Sequence, residues 1–258
     1  MKIVVIGSGN LGTQLSLALK DAGKEIVQIH SRTEEHAKRL ADMIGCDYTS
    51  IVDDIRKDAE IYIMSVKDDA ISDLAASVCH ERQNGLFLHT AGSVAMDVFK
   101  GHAKRYGVLY PMQTFSKTRR VDFREIPCFI EASSTQALEE IRSLAECISE
   151  HVVECDSEKR KKMHLAAVLA NNLTNHCYRL AERVVEAEQI DFNLFLPLIE
   201  ETARKVKSMS PKDAQTGPMV RYDRNVMDMQ MAMLDNPRTR EIYRLMAESI
   251  HEDATTSI

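Results

Sequence analysis

Three glycines near the start of the chain have the spacing that lets backbone, rather than side chains, do the chemistry. Gly7, Gly9 and Gly12 stand at G-x-G-x-x-G directly after the apolar run of residues 3–6. In such a loop the first glycine permits the tight turn out of a strand, and the second has no Cβ to block a pyrophosphate. The third lets the next helix approach the sheet closely. The freed N–H groups, with Ser8, Asn10 and Leu11 completing the turn, and the helix dipole behind them then face an anion. A lone glycine motif is weak; this one follows a strand and precedes an amphipathic segment, residues 11–22, as a dinucleotide site requires.

The end of the second strand selects between dinucleotides. NAD-binding proteins place an acidic residue there, about 20 residues on, for the ribose 2′-hydroxyl. Here the chain reads His30-Ser31-Arg32-Thr33, with no carboxylate. Arg32 suits a 2′-phosphate through its planar fork, and Ser31 or Thr33 can add a hydroxyl hydrogen bond. NADP is therefore expected over NAD. The competing reading makes Ser31 only a helix cap, since Ser31-x-x-Glu34 is a capping box for a helix over 34–43.

Four further polar clusters follow strand ends or lie on a helix. Ser65-Val66-Lys67 is expected to line the adenosine and ribose side, and His89-Thr90-Ala91-Gly92-Ser93 the nicotinamide side. Next comes Tyr110-Pro111-Met112-Gln113-Thr114-Phe115. In the later half, His164 is followed by Asn171, Asn172 and Asn175; positions 171 and 175 return to within about 20° of its face on a regular helix. The chemistry these residues suit is hydride transfer between a nicotinamide and a small carbonyl or imine, with the protein aligning the partners and handling the proton. His164 is the first candidate for proton donor and His89 the second, because imidazole titrates near neutrality. Asn171, Asn172 and Gln113 are candidates to orient a substrate oxygen, and Arg221 to pair a substrate carboxylate. Each has a plainer reading: His89 as a core histidine, Ser93 as a cap for a helix over 94–100, the His164 stripe as a packing or dimer interface.

The elements that must position these residues follow an α/β rhythm. Strand-like runs at 3–6, 26–30, 61–66, 86–90, 107–110 and 128–131 alternate with helical ones at 11–22, 34–43, 71–76, 94–100 and 136–150, and 151–155 again reads as strand. That predicts a doubly wound parallel sheet of Rossmann type over residues 1–155. From 156 to 258 the pattern is all-helical, with breaks at Pro197, Pro211, Pro218 and Pro237, and only the tail 252–258 is expected to fray. At 258 residues and 44% hydrophobic, the chain can build one or two cores. A net charge of −6 argues against nucleic acid or an anionic membrane surface as partner, and no apolar run exceeds strand length. The six cysteines show no C-x-x-C or His/Cys ligand spacing, so they read as buried thiols of a reducing cytosol with no metal site. The methionines at 219, 227, 229, 231 and 233 suit a core or a partner helix.

Taken together, GSGNLG, HSRT, HTAGS, YPMQTF, HLAAVLANN and QTGPMVRYD resemble, end to end, the Rossmann-like proteins that carry a DUF2520 domain. These are relatives of pyrroline-5-carboxylate reductase and of coenzyme F420-dependent NADP oxidoreductases. The resemblance implies an NADP-binding Rossmann domain, an all-helical domain that dimerises, and an active cleft between them; a homodimer is expected. Two departures limit it. The Lys and Asn that β-hydroxyacid dehydrogenases place four residues apart are missing, since Leu165 follows Lys161 and Ala166 follows Lys162 at that spacing. The proline-binding loop of pyrroline-5-carboxylate reductases has only a loose echo in Gln215-Thr216-Gly217-Pro218. An F420- or flavin-coupled NADP oxidoreductase, and a non-catalytic NADP-binding sensor or scaffold, therefore stand beside the carbonyl or imine reading.

Overall fold

The computed structural model describes residues 1–256. The chain divides into two compact units, Met1–Asn171 and the remainder from Asn172.

The first unit is built on an eight-stranded sheet: β1 (Lys2–Ile6), β2 (Glu25–His30), β3 (Asp47–Thr49), β4 (Ile61–Met64), β5 (Leu86–His89), β6 (Arg105–Pro111), β7 (Cys128–Ala132) and β8 (Val152–Glu154). Their spatial order is 3-2-1-4-5-6-7-8. The chain steps outward from β1 to β3 and returns to β4 on the other side, so the order reverses between β1 and β4, where open α/β sheets hold their ligands. Helices α1 (Asn10–Asp21), α2 (Glu34–Ile44), α3 (Asp68–Cys79), α4 (Thr135–Glu146) and α5 (Ser157–Ala167) complete the unit.

Ile3, Val4, Val5 and Ile6 are all fully buried. A strand with neither face in water needs apolar side chains throughout, which is why the sequence shows a continuous run and no alternation. Each such side chain contributes roughly 1.5–3 kcal/mol on burial. One core layer joins Leu15, Leu19, Leu40 and Ile141 to one face of the sheet, and a second joins Ile71, Val78 and Phe99 to the other. Arg82, itself buried, donates to the carbonyls of Val52, Ile55, Val78 and His80 and closes the C-terminal end of α3.

Three sequence expectations need correction here. The sheet is not wholly parallel: β7 runs antiparallel to β6, pairing Gly107 with Ala132 and Pro111 with Cys128, because the connection over 112–127 is a loop rather than a helical crossover. The expected helix over 94–100 is one 3-10 turn, Met96–Phe99, since burial of Phe99 anchors a segment too short for α-helix. Strand β3 was absent from the expectations, being a three-residue edge strand without an apolar pattern.

In the second unit α6 (Thr174–Glu186), α7 (Leu196–Lys205), α8 (Pro211–Ala214), α9 (Arg224–Ala232) and α10 (Pro237–Thr255) contain no strand among the described residues. Pro197, Pro211 and Pro237 sit in the first turns of α7, α8 and α10, where a missing N–H costs nothing. Against the expected fraying, α10 continues through Thr255; the same expectation for Ser257 and Ile258 lies outside the described residues. No helix among the described residues is long and apolar enough to cross a membrane.

The thiols are less uniformly buried than their spacing suggested. Cys79, Cys128 and Cys155 are buried, Cys46 and Cys177 half-buried, and Cys147, at the C-terminal end of α4, is exposed. Burial pushes the thiol of Cys79 up to about 12 and those of Cys46 and Cys128 up to about 11, so these three stay protonated. Among the described residues no group of three or more His, Cys, Asp or Glu side chains could hold a metal ion.

Candidate active site

The glycine loop is held by backbone. Gly7 N donates to His30 O at 2.8 Å and Ser65 N donates to Ile6 O at 2.7 Å, so the ends of β1, β2 and β4 meet at this turn. Gly7 has φ +115°, and a Cβ there would lie 2.0 Å from Ser65 O. A Cβ on Gly12 would lie 2.3 Å from Gly7 O, so both positions are closed to any side chain. Gly9 differs: a Cβ there meets nothing within 4 Å. It is the exposed N-cap of α1, no side chain caps that helix, and its first turn carries no acidic residue. The result is an open cradle of N–H groups at a helix N-terminus, which fits a pyrophosphate.

The residues after β2 do not form the helix cap that Ser31 could have made. The cap of α2 is Thr33, with no side-chain capping bond, so the capping box is not formed. Instead Ser8 Oγ donates to Ser31 Oγ at 2.9 Å, which joins the glycine loop to the 31–33 segment. Arg32 and Thr33 are exposed, and among the described residues the Arg32 guanidinium makes no hydrogen bond or ion pair. A free guanidinium beside two hydroxyls, with no carboxylate between, fits a 2′-phosphate.

Across the switch point, Ser65 and Thr90 are buried, Val66 is half-buried and Lys67 is exposed as the cap of α3. Thr90 N donates to Met64 O at 3.1 Å. Ser93 Oγ donates to Asp68, tying the loops after β4 and β5 together, so Ser93 does not cap a helix. Met96 N, the first donor of the 3-10 turn, goes instead to Ser157 Oγ at 3.2 Å.

His164 lies on α5 against this loop. A Cβ on Gly92 would stand 2.6 Å from His164 Nδ1 and 2.7 Å from Cγ, so only glycine lets the imidazole settle there. The same Nδ1 lies 2.9 Å from the phenol oxygen of Tyr110, at the end of β6. Helix α5 is anchored by Arg160, fully buried, which pairs with Glu131 on β7 and donates to Val94 O. Glu131 also accepts from Ser157 N at 2.9 Å and Ser157 Oγ at 2.7 Å.

Other sequence candidates fall differently. His89 is fully buried, its Nδ1 accepts from Ala91 N at 3.2 Å, and its ring packs on Phe99. Desolvation, with Arg160 adding, pushes its pKa down to about 3, so it stays neutral at physiological pH, enclosed in the core. Asn171 and Asn172 are exposed within a π-helical segment, Val168–Leu173, that interrupts the regular turn between α5 and α6. Wider π turns remove the uniform 3.6-residue step on which the stripe through Asn171 and Asn175 depended. Gln113 is exposed, and its Oε1 accepts from Thr114 N at 2.8 Å. Arg221 is exposed in the second unit, beside Tyr222, whose φ is +53°.

Two participants escaped the sequence reading. Arg160 lies in the run Lys159-Arg160-Lys161-Lys162, which looks like a solvated face, although it precedes His164 by one helical turn. Tyr110 stood in a cluster singled out for its polar residues, but nothing local paired it with a residue 54 positions away.

Residues 2–88 match the family described as NADP oxidoreductase coenzyme F420-dependent, and residues 126–250 match the domain of unknown function DUF2520. No curated protein matches the chain. Among solved structures, the putative NADP oxidoreductase BF3122 from Bacteroides fragilis is 48% identical; the alignment covers 97% of this chain and 98% of that one, with a TM-score of 0.94. Protein TM1727 from Thermotoga maritima shares the fold at 24% identity, TM-score 0.80, over 98% of this chain and 100% of its own. An imine reductase from Myxococcus stipitatus in complex with NADP+ shares it at 17% identity, TM-score 0.65, over 98% and 92%. A glycine-loop Rossmann sheet, a helical C-terminal region and near-complete alignment at 48% identity place this chain in the family of the Bacteroides fragilis protein: Rossmann oxidoreductase-like proteins that end in a DUF2520 domain.

Proposed function

We propose that the protein binds NADP(H) and transfers hydride to or from the carbon of a small carbonyl or imine. The observation that carries this reading is the hydroxyl contact between Ser8 and Ser31 beside the uncommitted guanidinium of Arg32, with Gly9 open next to it. When bound, NADPH supplies the hydride. The chain's own residues do the rest. Gly7, Ser8, Gly9, Asn10, Leu11 and Gly12 hold the pyrophosphate by backbone N–H groups, and Ser31, Arg32 and Thr33 hold the 2′-phosphate. Ser65, Val66 and Lys67 flank the ribose side, and Thr90 and Gly92 the nicotinamide side. His164 gives the proton to the acceptor heteroatom as charge develops there, using the ring nitrogen that Tyr110 leaves free. Within the first unit, the exposed side chains of Gln113 and Asn171 are the amides offered to orient a substrate oxygen.

Calorimetric titration with NADPH, NADP+, NADH and NAD+ tests this. NADPH is expected to bind at least tenfold more tightly than NADH, about 1.4 kcal/mol, and Arg32→Ala to erase most of that difference. Equal affinities in the native protein would transfer the assignment to NAD, and no binding of any of the four would remove the oxidoreductase reading. A second reading, reduction of a deazaflavin or flavin by NADPH, is favoured by the family description over residues 2–88. Loss of 340 nm absorbance on adding F420 or a flavin, with no loss on small imines, would select it.

We also propose that the second unit assembles a homodimer. Leu194, Leu198 and Met233 are 72%, 64% and 69% exposed, and Leu180, Val184, Leu234, Ile242, Tyr243 and Met246 line an apolar groove along α6 and α10. Of the methionines, Met227 is core, while Met229 and Met233 are exposed. Apolar exposure on this scale marks association surfaces. Light scattering at micromolar protein is expected to give twice the monomer mass, and a monomeric mass would refute it.

A further inference from the structure

Tyr110 is 7% exposed, and among the described residues His164 Nδ1 is the hydrogen-bond partner of its phenol. The two rings meet edge-on, centroids 5.8 Å apart at 73°, and Gly92 closes the other side of the imidazole. A neutral imidazole carries one proton, and the partner of one nitrogen decides which of the two bears it. The alternative pairing, with Nδ1–H donating to the phenol oxygen, would leave the O–H of a residue only 7% exposed without an acceptor among the described residues, and donors so enclosed are seldom left unpaired. Burial, with Asp68 reinforcing it and Arg160 opposing, raises the Tyr110 pKa, so its hydroxyl remains a donor at neutral pH.

We propose that Tyr110 is a positioning residue: its phenol donates to His164 Nδ1 and thereby holds the imidazole proton on Nε2, the nitrogen turned away from Tyr110. Under the proposed function, that Nε2–H is the group offered to the substrate heteroatom. The catalytic consequence rests on that function; the tautomer does not. Gly92 and Tyr110 together fix both the plane of the ring and the position of its proton before any ligand arrives, the kind of preorganisation proton transfer needs.

The test is long-range 1H–15N correlation spectroscopy of the histidine rings at pH 8, with His164 assigned by comparison with His164→Gln. The native protein is expected to show Nε2–H only, with an acceptor-type Nδ1. In Tyr110→Phe, which keeps the ring and removes the hydroxyl, Nδ1 is expected to lose its hydrogen-bond shift and the Nδ1–H form to become detectable. An Nδ1–H pattern in the native protein, or a His164 spectrum unchanged by Tyr110→Phe, overturns the proposal. The native measurement decides even if the variant folds poorly. With a carbonyl or imine substrate, Tyr110→Phe should lower kcat on the order of tenfold or more while leaving the NADPH Kd unchanged. The expected spectra together with no turnover of any carbonyl or imine would leave the tautomer assignment standing and count against the proposed function alone.

Discussion

Gly9→Ala is expected to leave folding intact while weakening NADPH binding at least a hundredfold, and Gly7→Ala to destabilise the first unit itself. Gly9 has φ −69° and ψ −173°, ordinary extended backbone for any residue, and its Cβ would enter open space. Its stability should therefore change by no more than about 0.5 kcal/mol. The added methyl would stand where the pyrophosphate has to approach the α1 N-terminus, so affinity should fall at least a hundredfold, about 2.7 kcal/mol. At Gly7 the same substitution meets two obstacles. A φ of +115° is strained for an L-residue, and the Cβ would lie 2.0 Å from Ser65 O, which is backbone and cannot swing aside. Strain of roughly 1–3 kcal/mol adds to overpacking of similar size, for a loss of about 3 kcal/mol or more. Urea melts of both variants with calorimetry on Gly9→Ala separate the effects. Native NADPH affinity in Gly9→Ala would mean that the pyrophosphate does not sit at this loop.

Arg160→Met carries the second large effect, an expected loss of about 3–5 kcal/mol. Arg160 is fully buried and the Glu131 side chain is 14% exposed; removing the guanidinium leaves a largely desolvated carboxylate without its cation and takes the donor from Val94 O. Ser157 alone would still satisfy part of Glu131. The double variant Arg160→Met, Glu131→Gln should recover a good part of the loss, because a buried ion pair offers little net stability over a neutral replacement while a broken one is costly. Urea midpoints of the two singles and the double complete the cycle, and additive losses would show that the two residues do not act as a pair. A functional consequence follows from position. Val94 belongs to the loop that seats His164 over Gly92, so Arg160→Met should also disturb the His164–Tyr110 contact.

The glycine turn and the sheet of the first half were legible because their determinants are local. The turn at Gly7, the open position at Gly9 and the close approach at Gly12 are properties of backbone within six consecutive residues, and buried parallel strands write themselves as unbroken apolar runs. Ser31, Arg32 and Thr33 stood out because the acidic residue expected there is missing. The two possible roles for Ser31, helix cap or phosphate contact, could not be separated along the chain. Ser8, 23 positions earlier, takes its hydroxyl, and only folding brings the two together.

The surroundings of the two histidines were legible only in part, and for the opposite reason. Residue type alone offered both histidines as proton donors, His164 first and His89 second; burial sets them apart, leaving His89 neutral in the core and His164 half-exposed against Gly92. The antiparallel β7 and the π segment at 168–173 likewise have no periodic signature, since strand direction depends on how a loop returns and a helical step depends on packing around it. The sequence by itself determined the alternation of strand and helix in the first half, the helical second half and the glycine turn, all written in periodicity and backbone permission over a few residues. The tertiary structure alone decided that His89 lies enclosed in the core while His164 meets Gly92 and Tyr110, because desolvation, the Tyr110 contact and the Arg160–Glu131 anchor depend on side chains far apart in the chain.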